Sequence, residues 1–255
     1  MHTREQRRRS DNHLHPVVAT LGVAVAGYVV LAALALALGA LVTNFVVGHG
    51  LGREDLDIAQ WFAHRRTPTW NDLSVVGSYF AETVTVLVVL AIALIVLAIR
   101  RNWPQFGLLV VSLSVEAAVY ATATYVISRN RPAVPRLEDL IVADSYPSGH
   151  TAASVALYGS LAIVVWSLTR NRWWRGVTIV LAFLAPIIVA TSRVYRGMHN
   201  PTDVICGALI GAGCVAVGYL AVRTGLADAH ERRLEEQEVE VTRAQPRLVP
   251  VQEAV

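Results

Sequence analysis

Six long apolar stretches, separated by short polar segments, constrain this chain more than any other feature of its sequence. Each has about 18 residues or more, enough for an α-helix to cross the hydrocarbon core of a bilayer. Charged residues make up only 16% of the chain, well below the about 25% that is usual in soluble domains. We therefore predict an all-α polytopic membrane protein, a bundle of six transmembrane helices. The predicted spans are 17–47, 73–99, 104–128, 150–169, 176–193 and 203–223.

Two polar segments flank the predicted six-helix domain, which we place at residues 16–223. Residues 1–15 are basic and are expected to form a cytoplasmic tail. A signal peptide is the alternative, but the apolar run that follows is too long for the hydrophobic region of one. Residues 224–255 are charged again and are predicted to form a cytoplasmic tail, with a short exposed helix at 231–240.

The polar segment between the first two spans has an amphipathic pattern. Acidic residues open it and arginines close it, an order that suits the dipole of a helix. Ile58, Trp61 and Phe62 fall on one face, so we predict a helix that lies on the membrane surface. An ordinary solvated loop helix is the alternative. The charged residues are Glu54, Asp55, Asp57, Arg65 and Arg66.

The distribution of arginine favours a cytoplasmic N-terminus. The chain contains no lysine, and its basic balance also suits nucleic-acid binding. However, the arginines lie between apolar spans, which favours membrane orientation and anion binding instead. With both termini inside, arginine clusters fall in the cytoplasmic segments, as the positive-inside rule expects. The opposite side also holds arginines, half of them in the polar stretches considered next.

Three polar stretches lie at the ends of predicted spans, on the same side of the membrane. They are 129–132, 146–150 and 192–203. The third combines a hydroxyl, two guanidinium groups, an imidazole and a carboxylate within twelve residues, between apolar segments. Because counting spans places all three stretches at one end of the bundle, we expect them to form a single site on the outer face of the cytoplasmic membrane.

Four residues in these stretches suit the binding of an anion. Arg131 and Arg193 each offer a planar fork that matches phosphate oxygens. Ser148 and Gly149 stand where a span begins, and a helix start offers free N–H groups and a positive dipole. The structural alternative is that Ser148 only caps the helix and the arginines reach to lipid headgroups.

Two histidines and a carboxylate add catalytic chemistry to the predicted site. One of His150 and His199 can attack phosphorus while the other protonates the leaving oxygen. Asp203 follows His199 by four residues and can accept a hydrogen bond from one ring nitrogen, leaving the other free. Asp203 also suits the third position of a helix that Asn200 caps, so closing a capping box is an alternative or additional role.

A zinc site is a further interpretation of the same residues. His150, His199 and Asp203 together make a three-ligand set of the catalytic type. The neighbouring arginines disfavour it, because they repel a cation and suit an anion.

At these residues the sequence resembles the type 2 phosphatidic acid phosphatases, a family of membrane lipid phosphate phosphatases. The family pattern has three parts: Lys, six residues, Arg-Pro; then Pro-Ser-Gly-His; then Ser-Arg, five residues, His, three residues, Asp. All three match, with the family spacings, except that Thr124 stands at the lysine position. The resemblance covers roughly residues 70–222. The matching residues are Arg131, Pro132, Pro147, Ser148, Gly149, His150, Ser192, Arg193, His199 and Asp203.

The resemblance implies a six-helix phosphatase that needs no metal or other cofactor. It implies that His199 is the nucleophile that forms a phosphohistidine, that Asp203 orients it and that His150 is the general acid. It also implies that four residues hold the phosphoryl oxygens and stabilise charge in the transition state. These are Arg131, Ser148, Gly149 and Arg193.

The missing lysine is a departure that puts catalysis in question. Removing one cation from a phosphate clamp costs about 3 kcal/mol of transition-state stabilisation, by analogy with an oxyanion-hole donor. Arg129 lies close to Thr124 in sequence and is expected to supply the charge.

Several residues within the apolar spans carry structural predictions. Glu82 and Glu116 are expensive carboxylates in a membrane and have no assigned role. The two cysteines are predicted to be small buried residues, Pro186 is predicted to kink its helix, and three glycines of the last span are predicted to allow close helix packing. The residues concerned are Cys206, Cys214, Gly207, Gly211 and Gly218.

Residues and resemblance together predict hydrolysis of a phosphomonoester or diphosphate on a lipid, with membrane lipids and that lipid as partners. Two alternatives remain. One is a transferase that passes the group from the same histidine to an alcohol, and the other is a non-catalytic binder or transporter of lipid phosphates.

Overall fold

The structure, a computed structural model, describes residues 16–46, 51–139 and 143–244. The predicted N-terminal tail and the last residues of the C-terminal tail lie outside these ranges. Throughout the described ranges the regular structure is helical. The α-helices are α1 (Pro16–Leu41), α2 (Leu51–His64), α3 (Pro68–Tyr79), α4 (Thr83–Ile99), α5 (Trp103–Val126), α6 (Gly149–Leu168), α7 (Arg172–Tyr195) and α8 (Pro201–Ala244). A short π-helix, Val42–Val46, follows α1.

Six helical segments within the described ranges are long and apolar enough to cross a membrane. Their outward faces carry large exposed apolar side chains, for example Val25 on α1, Ile92 on α4 and Phe183 on α7. Such surfaces suit contact with lipid rather than water. The prediction of an all-α polytopic membrane protein is therefore confirmed.

Helix α8 lies at the centre of the bundle, where it packs along α1, α5 and α6. Small residues allow the close approach to α6: a Cβ on Gly207 would lie 2.5 Å from the carbonyl oxygen of Ser148, and one on Gly211 would lie 2.5 Å from that of Ala152. The prediction that these glycines permit close packing is confirmed. Cys206 and Cys214 are free and buried, also as predicted.

The second predicted span is interrupted. Instead of one helix over 73–99, α3 ends at Tyr79 and α4 begins at Thr83. The hydroxyl of Tyr158 donates a 2.8 Å hydrogen bond to the carbonyl oxygen of Phe80, which satisfies a polar group that the break exposes. Glu82 is the N-cap residue of α4, so it lies at a helix end and not inside a continuous helix.

The last helix continues past the predicted boundary at 223. Helix α8 runs from Pro201 to Ala244 without a break, so residues 231–240 are helical as predicted, but they belong to this long helix and not to a short one. The helix continues through Gly225, whose missing side chain allows close contact with Thr20 and Pro16 of α1. Thus α1 supports the helix where the charged segment begins.

The predicted amphipathic helix exists as α2. Ile58 and Trp61 are exposed on one side, while Asp55 and Ala59 are buried on the other. Its position on the membrane surface stays a prediction, as does a kink at Pro186, which lies within the continuous helix α7.

Candidate active site

The three polar stretches meet at one end of the bundle, where α7 ends and α6 and α8 begin. A glycine turn closes α7: Gly197 has φ +74°, a left-handed conformation that glycine adopts without strain. The N–H of Met198 donates to the carbonyl oxygen of Arg193 at 3.0 Å, and that of Gly197 donates to Val194 at 3.0 Å. This is the Schellman pattern of a helix C-terminus. It turns the chain so that His199 lies inside the bundle.

His199 is buried, and one of its ring nitrogens is held by the main chain. Its Nδ1 lies 2.7 Å from the carbonyl oxygen of Ser145. Because a carbonyl oxygen can only accept, Nδ1 carries the proton and Nε2 has the free lone pair in the neutral ring. Burial, together with the charges of Arg193 and Arg131, lowers the pKa of His199 well below its ordinary value. The neutral ring required of a nucleophile is therefore favoured.

Asp203 does not contact His199 directly, which corrects the predicted arrangement. One carboxylate oxygen accepts from the main-chain and side-chain N–H groups of Asn200, at 2.8 and 3.1 Å, and from the hydroxyl of Ser145. The other accepts from Arg129. Asp203 thus forms the predicted capping contact with Asn200 and reaches His199 only through Ser145.

Ser145 is the residue that joins these groups. It is fully buried, and its N–H donates to the carbonyl oxygen of Arg129 at 2.8 Å. With its hydroxyl on Asp203 and its carbonyl oxygen on His199, all three polar groups of Ser145 are engaged. The position of the imidazole is therefore fixed by Ser145, and that of Ser145 by Asp203 and Arg129.

Arg129 is committed to carboxylates, so the structure does not support the expectation that it replaces the missing lysine at the phosphate. Its Nη2 lies 2.7 Å from Asp55 of α2, and its Nη1 contacts both Asp203 and, at 2.8 Å, Thr202. Asp55 also accepts from the N–H and hydroxyl of Thr202, at 3.1 and 2.6 Å. Arg129 therefore links α2 to the start of α8.

The start of α6 supplies main-chain donors to the site. The hydroxyl of Ser148 pairs with that of Thr151 at 2.9 Å, so it does not cap the helix N–H groups. Among the described residues, none accepts from the N–H groups of Gly149, His150 or Thr151. Gly149 is also needed sterically, since a Cβ there would lie 2.7 Å from the ring of Tyr120. These free donors and the helix dipole favour an anion at this helix start.

The two predicted phosphate-binding arginines lie near both histidines, since their charges act on His150 and on His199. Arg131 donates to the carbonyl oxygen of Met198, and its Nε lies 3.3 Å from that of Ala143. Arg193 is buried and forms an ion pair with Glu138, with 2.8 Å between Nη1 and Oε2. The structure thus places His150, His199, Arg131 and Arg193 within electrostatic reach of one another.

Thr124 lies on α5 with a buried hydroxyl that has no hydrogen-bond partner among the described residues. Glu116, on the same helix, is also buried. No role for Glu116 emerges from its surroundings.

The zinc alternative is not supported by the arrangement of side chains. Within the residues that the structure describes, no group of three or more His, Cys, Asp and Glu side chains is placed to hold a metal ion. The donors that surround the histidines are guanidinium and main-chain N–H groups, which suit an anion.

Three residues of this site were not predicted from the sequence. Ser145 and Glu138 lie in the loop before α6, where no periodic pattern marks them, and Asp55 was assigned only to the dipole of α2. One feature of the sequence could have identified Asp55. It is an acidic residue on a segment predicted to lie at the outer face, the same side as Arg129, whose charge needs a partner. Ser145 has no such feature, because its main-chain carbonyl provides the key contact.

Comparison with known proteins places the chain in a family. Residues 105–226 match the PAP2 superfamily. An undecaprenyl-diphosphatase from Sulfolobus acidocaldarius is 30% identical over 176 residues, which cover 66% of this chain and 77% of that protein. The chain belongs to the PAP2 superfamily. The resemblance drawn from its three motifs is thereby confirmed.

Other PAP2 relatives match over different lengths. Sphingosine-1-phosphate phosphatase 2 from Mus musculus is 33% identical over 91 residues, 35% of this chain and 25% of that protein. The crystal structure of a PAP2-type phosphatidylglycerolphosphate phosphatase from Bacillus subtilis superposes with a TM-score of 0.63 at 22% identity, over 77% of this chain and 94% of that one. At that identity the likeness is one of fold.

Proposed function

We propose that this PAP2 protein is a membrane phosphatase that hydrolyses a phosphomonoester or diphosphate on a lipid through a phosphohistidine on His199. One observation carries the proposal most directly. The Ser145 carbonyl oxygen holds Nδ1 of His199, so Nε2 keeps its lone pair beside two arginines that suit phosphoryl oxygens.

In the first step, Nε2 of His199 attacks phosphorus. The nitrogen–phosphorus bond forms while the bond from phosphorus to the leaving oxygen breaks. His150 donates its proton to that oxygen, and the arriving phosphoryl dianion favours the imidazolium form that can do so. When the substrate is a diphosphate, the leaving group is itself a phosphate and depends less on protonation by His150.

In the second step, water attacks the phosphohistidine. His150, now neutral, accepts a proton from the water, and the bond between phosphorus and Nε2 breaks. Inorganic phosphate leaves, and His199 and His150 return to their starting forms.

Stabilisation of the transition state is assigned to fixed positive groups of the protein, without a metal ion. Arg131 and Arg193 face the equatorial oxygens, and the N–H groups at the start of α6 are free to donate. Ser148 and Gly149 belong to this helix start, Ser148 by holding Thr151 and Gly149 by its N–H.

The substrate class rests on the membrane location and the relatives. The named relatives act on an undecaprenyl diphosphate, on sphingosine 1-phosphate and on a phosphatidylglycerolphosphate, each a lipid with a terminal phosphate. A site at the end of an apolar bundle suits such a lipid, with its chains among the helices. We place this end at the outer face of the cytoplasmic membrane. In that orientation both termini and the arginine clusters of the segments on their side are cytoplasmic, as the positive-inside rule expects.

The test is release of inorganic phosphate by the purified full-length protein in detergent, from undecaprenyl diphosphate, phosphatidic acid and phosphatidylglycerolphosphate. Reactions run with and without a chelator, beside His199→Ala and His150→Ala. We expect chelator-resistant release by the native protein, loss in His199→Ala, and trapping of labelled phosphate on His199 in His150→Ala when the substrate is a diphosphate.

Three results would contradict the proposal. Release that stops with the chelator would place a metal in the reaction. Release that persists in His199→Ala would exclude a phosphohistidine on His199. Binding of the lipids without release of phosphate from any of them would favour a non-catalytic binder.

A further inference from the structure

A resident carboxylate occupies the arginine that the proposed reaction needs. Glu138 places both oxygens on Nη1 of Arg193, at 2.8 and 3.1 Å, and one of them lies 2.5 Å from Nε of Arg196. The charge of Glu138 also reaches His150, the proposed acid. The carboxylate therefore lies where a substrate's phosphoryl group is expected.

Arg193 has donors left over in this arrangement. All of its side-chain hydrogen bonds with described residues use Nη1, and its buried Nε has no partner among them. A guanidinium group offers five N–H donors in a fork that fits a tetrahedral oxyanion. A carboxylate thus satisfies Arg193 incompletely, and a phosphoryl group with three terminal oxygens can satisfy it better.

Arg196 gives Glu138 a second place to bind. Apart from Glu138, Arg196 donates to the carbonyl oxygen of Leu137 at 2.9 Å and to the hydroxyl of Ser74 at 3.0 Å. The N–H of Leu137 in turn donates to the carbonyl oxygen of Arg196 at 3.1 Å. The main chain beside Glu138 is therefore anchored, and a change of side-chain rotamer suffices to move the carboxylate off Arg193 while it stays on Arg196.

Glu138 keeps its charge under ordinary conditions. Its burial is partial, with 30% of the side chain exposed, and burial alone would raise its pKa. Arg193 and Arg196 outweigh that effect and hold the pKa of Glu138 below its ordinary value. An arriving anion therefore competes with a permanently ionised carboxylate.

We propose that Glu138 is a specificity-determining residue, which occupies Arg193 until a dianionic phosphoryl group displaces it and so excludes monoanionic phosphodiesters. The inference rests on the proposed function of the site. A diester headgroup carries one negative charge and two terminal oxygens, like the carboxylate it would have to replace. It gains nothing by the exchange, whereas a terminal phosphate brings a charge of about −1.5 to −2 and three acceptor oxygens.

The covalent attachment of Glu138 to the chain strengthens this selection against phosphodiesters. A group attached to the same chain acts at an effective concentration of about millimolar or more, so a diester must exceed that concentration to compete. In a membrane made largely of phosphodiester lipids, such an internal competitor keeps the site available for lipids with a terminal phosphate.

The experiment measures anion binding to the full-length protein in detergent, by the rise of its thermal unfolding midpoint with ligand at constant ionic strength. The probes are inorganic phosphate and dimethyl phosphate, a monoanionic diester. The variants are Glu138→Gln, which keeps an acceptor for the arginines, and Asp139→Asn, which removes the same charge from the exposed neighbouring residue.

We expect the native protein and Asp139→Asn to bind phosphate and to ignore dimethyl phosphate. In Glu138→Gln we expect phosphate to bind about five- to tenfold more tightly and dimethyl phosphate to bind measurably, since a partly exposed ion pair is removed. Unchanged affinities in Glu138→Gln would overturn the proposal. Equal tightening in both variants would also overturn it, because it would reflect net charge alone.

A second variant covers the case in which Glu138→Gln does not fold. Glu138→Asp keeps the charge but is one methylene shorter, so it cannot span Arg193 and Arg196 together, and phosphate affinity should rise. An affinity equal to that of the native protein would contradict displacement. Because binding needs no turnover, these results can be interpreted even if the protein shows no phosphatase activity. Absence of phosphate binding in every variant would overturn the proposed role of Glu138.

Discussion

Nδ1 of His199 lies 2.7 Å from the main-chain carbonyl oxygen of Ser145. This contact places a carbonyl where catalytic triads place a carboxylate. A carbonyl oxygen carries only a partial charge, so the extent to which it raises the pKa of His199 is outweighed by burial and by the charges of Arg193 and Arg131. The carboxylate of Asp203 acts one step further away, through the Ser145 hydroxyl.

The first prediction concerns the tautomer and ionisation of His199. Because its pKa is lowered well below the usual value of about 6.5, the neutral ring should persist as pH falls through 6.5, where an ordinary histidine becomes charged. The ¹⁵N resonances of histidine-labelled protein in micelles report both properties, and those absent from His199→Gln belong to His199. A His199 signal that titrates near pH 6.5, or one with the proton on Nε2, would contradict the prediction.

The second prediction concerns the indirect role of Asp203. Asp203→Asn should lower kcat by about 10- to 100-fold, the usual cost of losing a group that orients a functional ligand. KM should change little, because the arginines still bind the substrate. A loss as large as that in His199→Ala would mean that Asp203 acts on the reacting atoms, and no loss would mean that it only caps α8.

The meeting of the three motifs was predictable, and the reason is simple. Apolar length fixes the number of spans, and the number of spans fixes which loops share a side of the membrane. The interruption between α3 and α4 was not predictable, because residues 73–99 are apolar whether the helix is broken or continuous, and the bond that supports the break comes from Tyr158 on another helix.

Within the site, the identity of the side chains that meet could be predicted, and their hydrogen-bond partners could not. His150, His199, Arg131 and Arg193 follow from residue type and spacing. The choice of Ser145 as the partner of His199 depends on how the loop before α6 folds over α8, a tertiary detail with no local signal. Arg129 illustrates the same limit, since its proximity to Thr124 in sequence suggested a phosphate contact that Asp55 and Asp203 preclude.

The third prediction tests the ion pair between α2 and the bundle. Asp55→Ala should lower the free energy of unfolding by about 3–5 kcal/mol, because it leaves part of the buried Arg129 charge unpaired. Asp57→Ala is the matched control, an exposed aspartate on the same helix that should change stability by about 0.5 kcal/mol or less. Thermal unfolding in detergent measures both. Equal effects would show that the pair contributes nothing specific.

The fourth prediction tests the close approach of α8 and α6. A methyl group at position 207 would lie 2.5 Å from the carbonyl oxygen of Ser148, so Gly207→Ala must displace the start of α6 or strain α8. We expect a loss of about 1–3 kcal/mol in stability and reduced turnover, because His150 lies only two residues after Ser148 at the start of α6. Gly176→Ala is the control: it lies in α7 with no atom within 4 Å of the added methyl, and should be neutral or stabilising.

The last prediction asks whether the residue at the missing lysine position takes part in the reaction. The hydroxyl of Thr124 is buried without a hydrogen-bond partner among the described residues, so Thr124→Val removes an unsatisfied group. Stability should be unchanged or rise by about 1 kcal/mol, and turnover should stay within about twofold of the native value.

Thr122→Val is its control on the same helix. The Thr122 hydroxyl contacts Tyr28 at 2.9 Å and donates to the carbonyl oxygen of Ala118 at 2.9 Å, so its loss should lower stability by about 1 kcal/mol. Thermal unfolding and phosphate release distinguish the two variants. A tenfold loss of turnover in Thr124→Val at unchanged stability would show that the Thr124 hydroxyl takes part in the reaction.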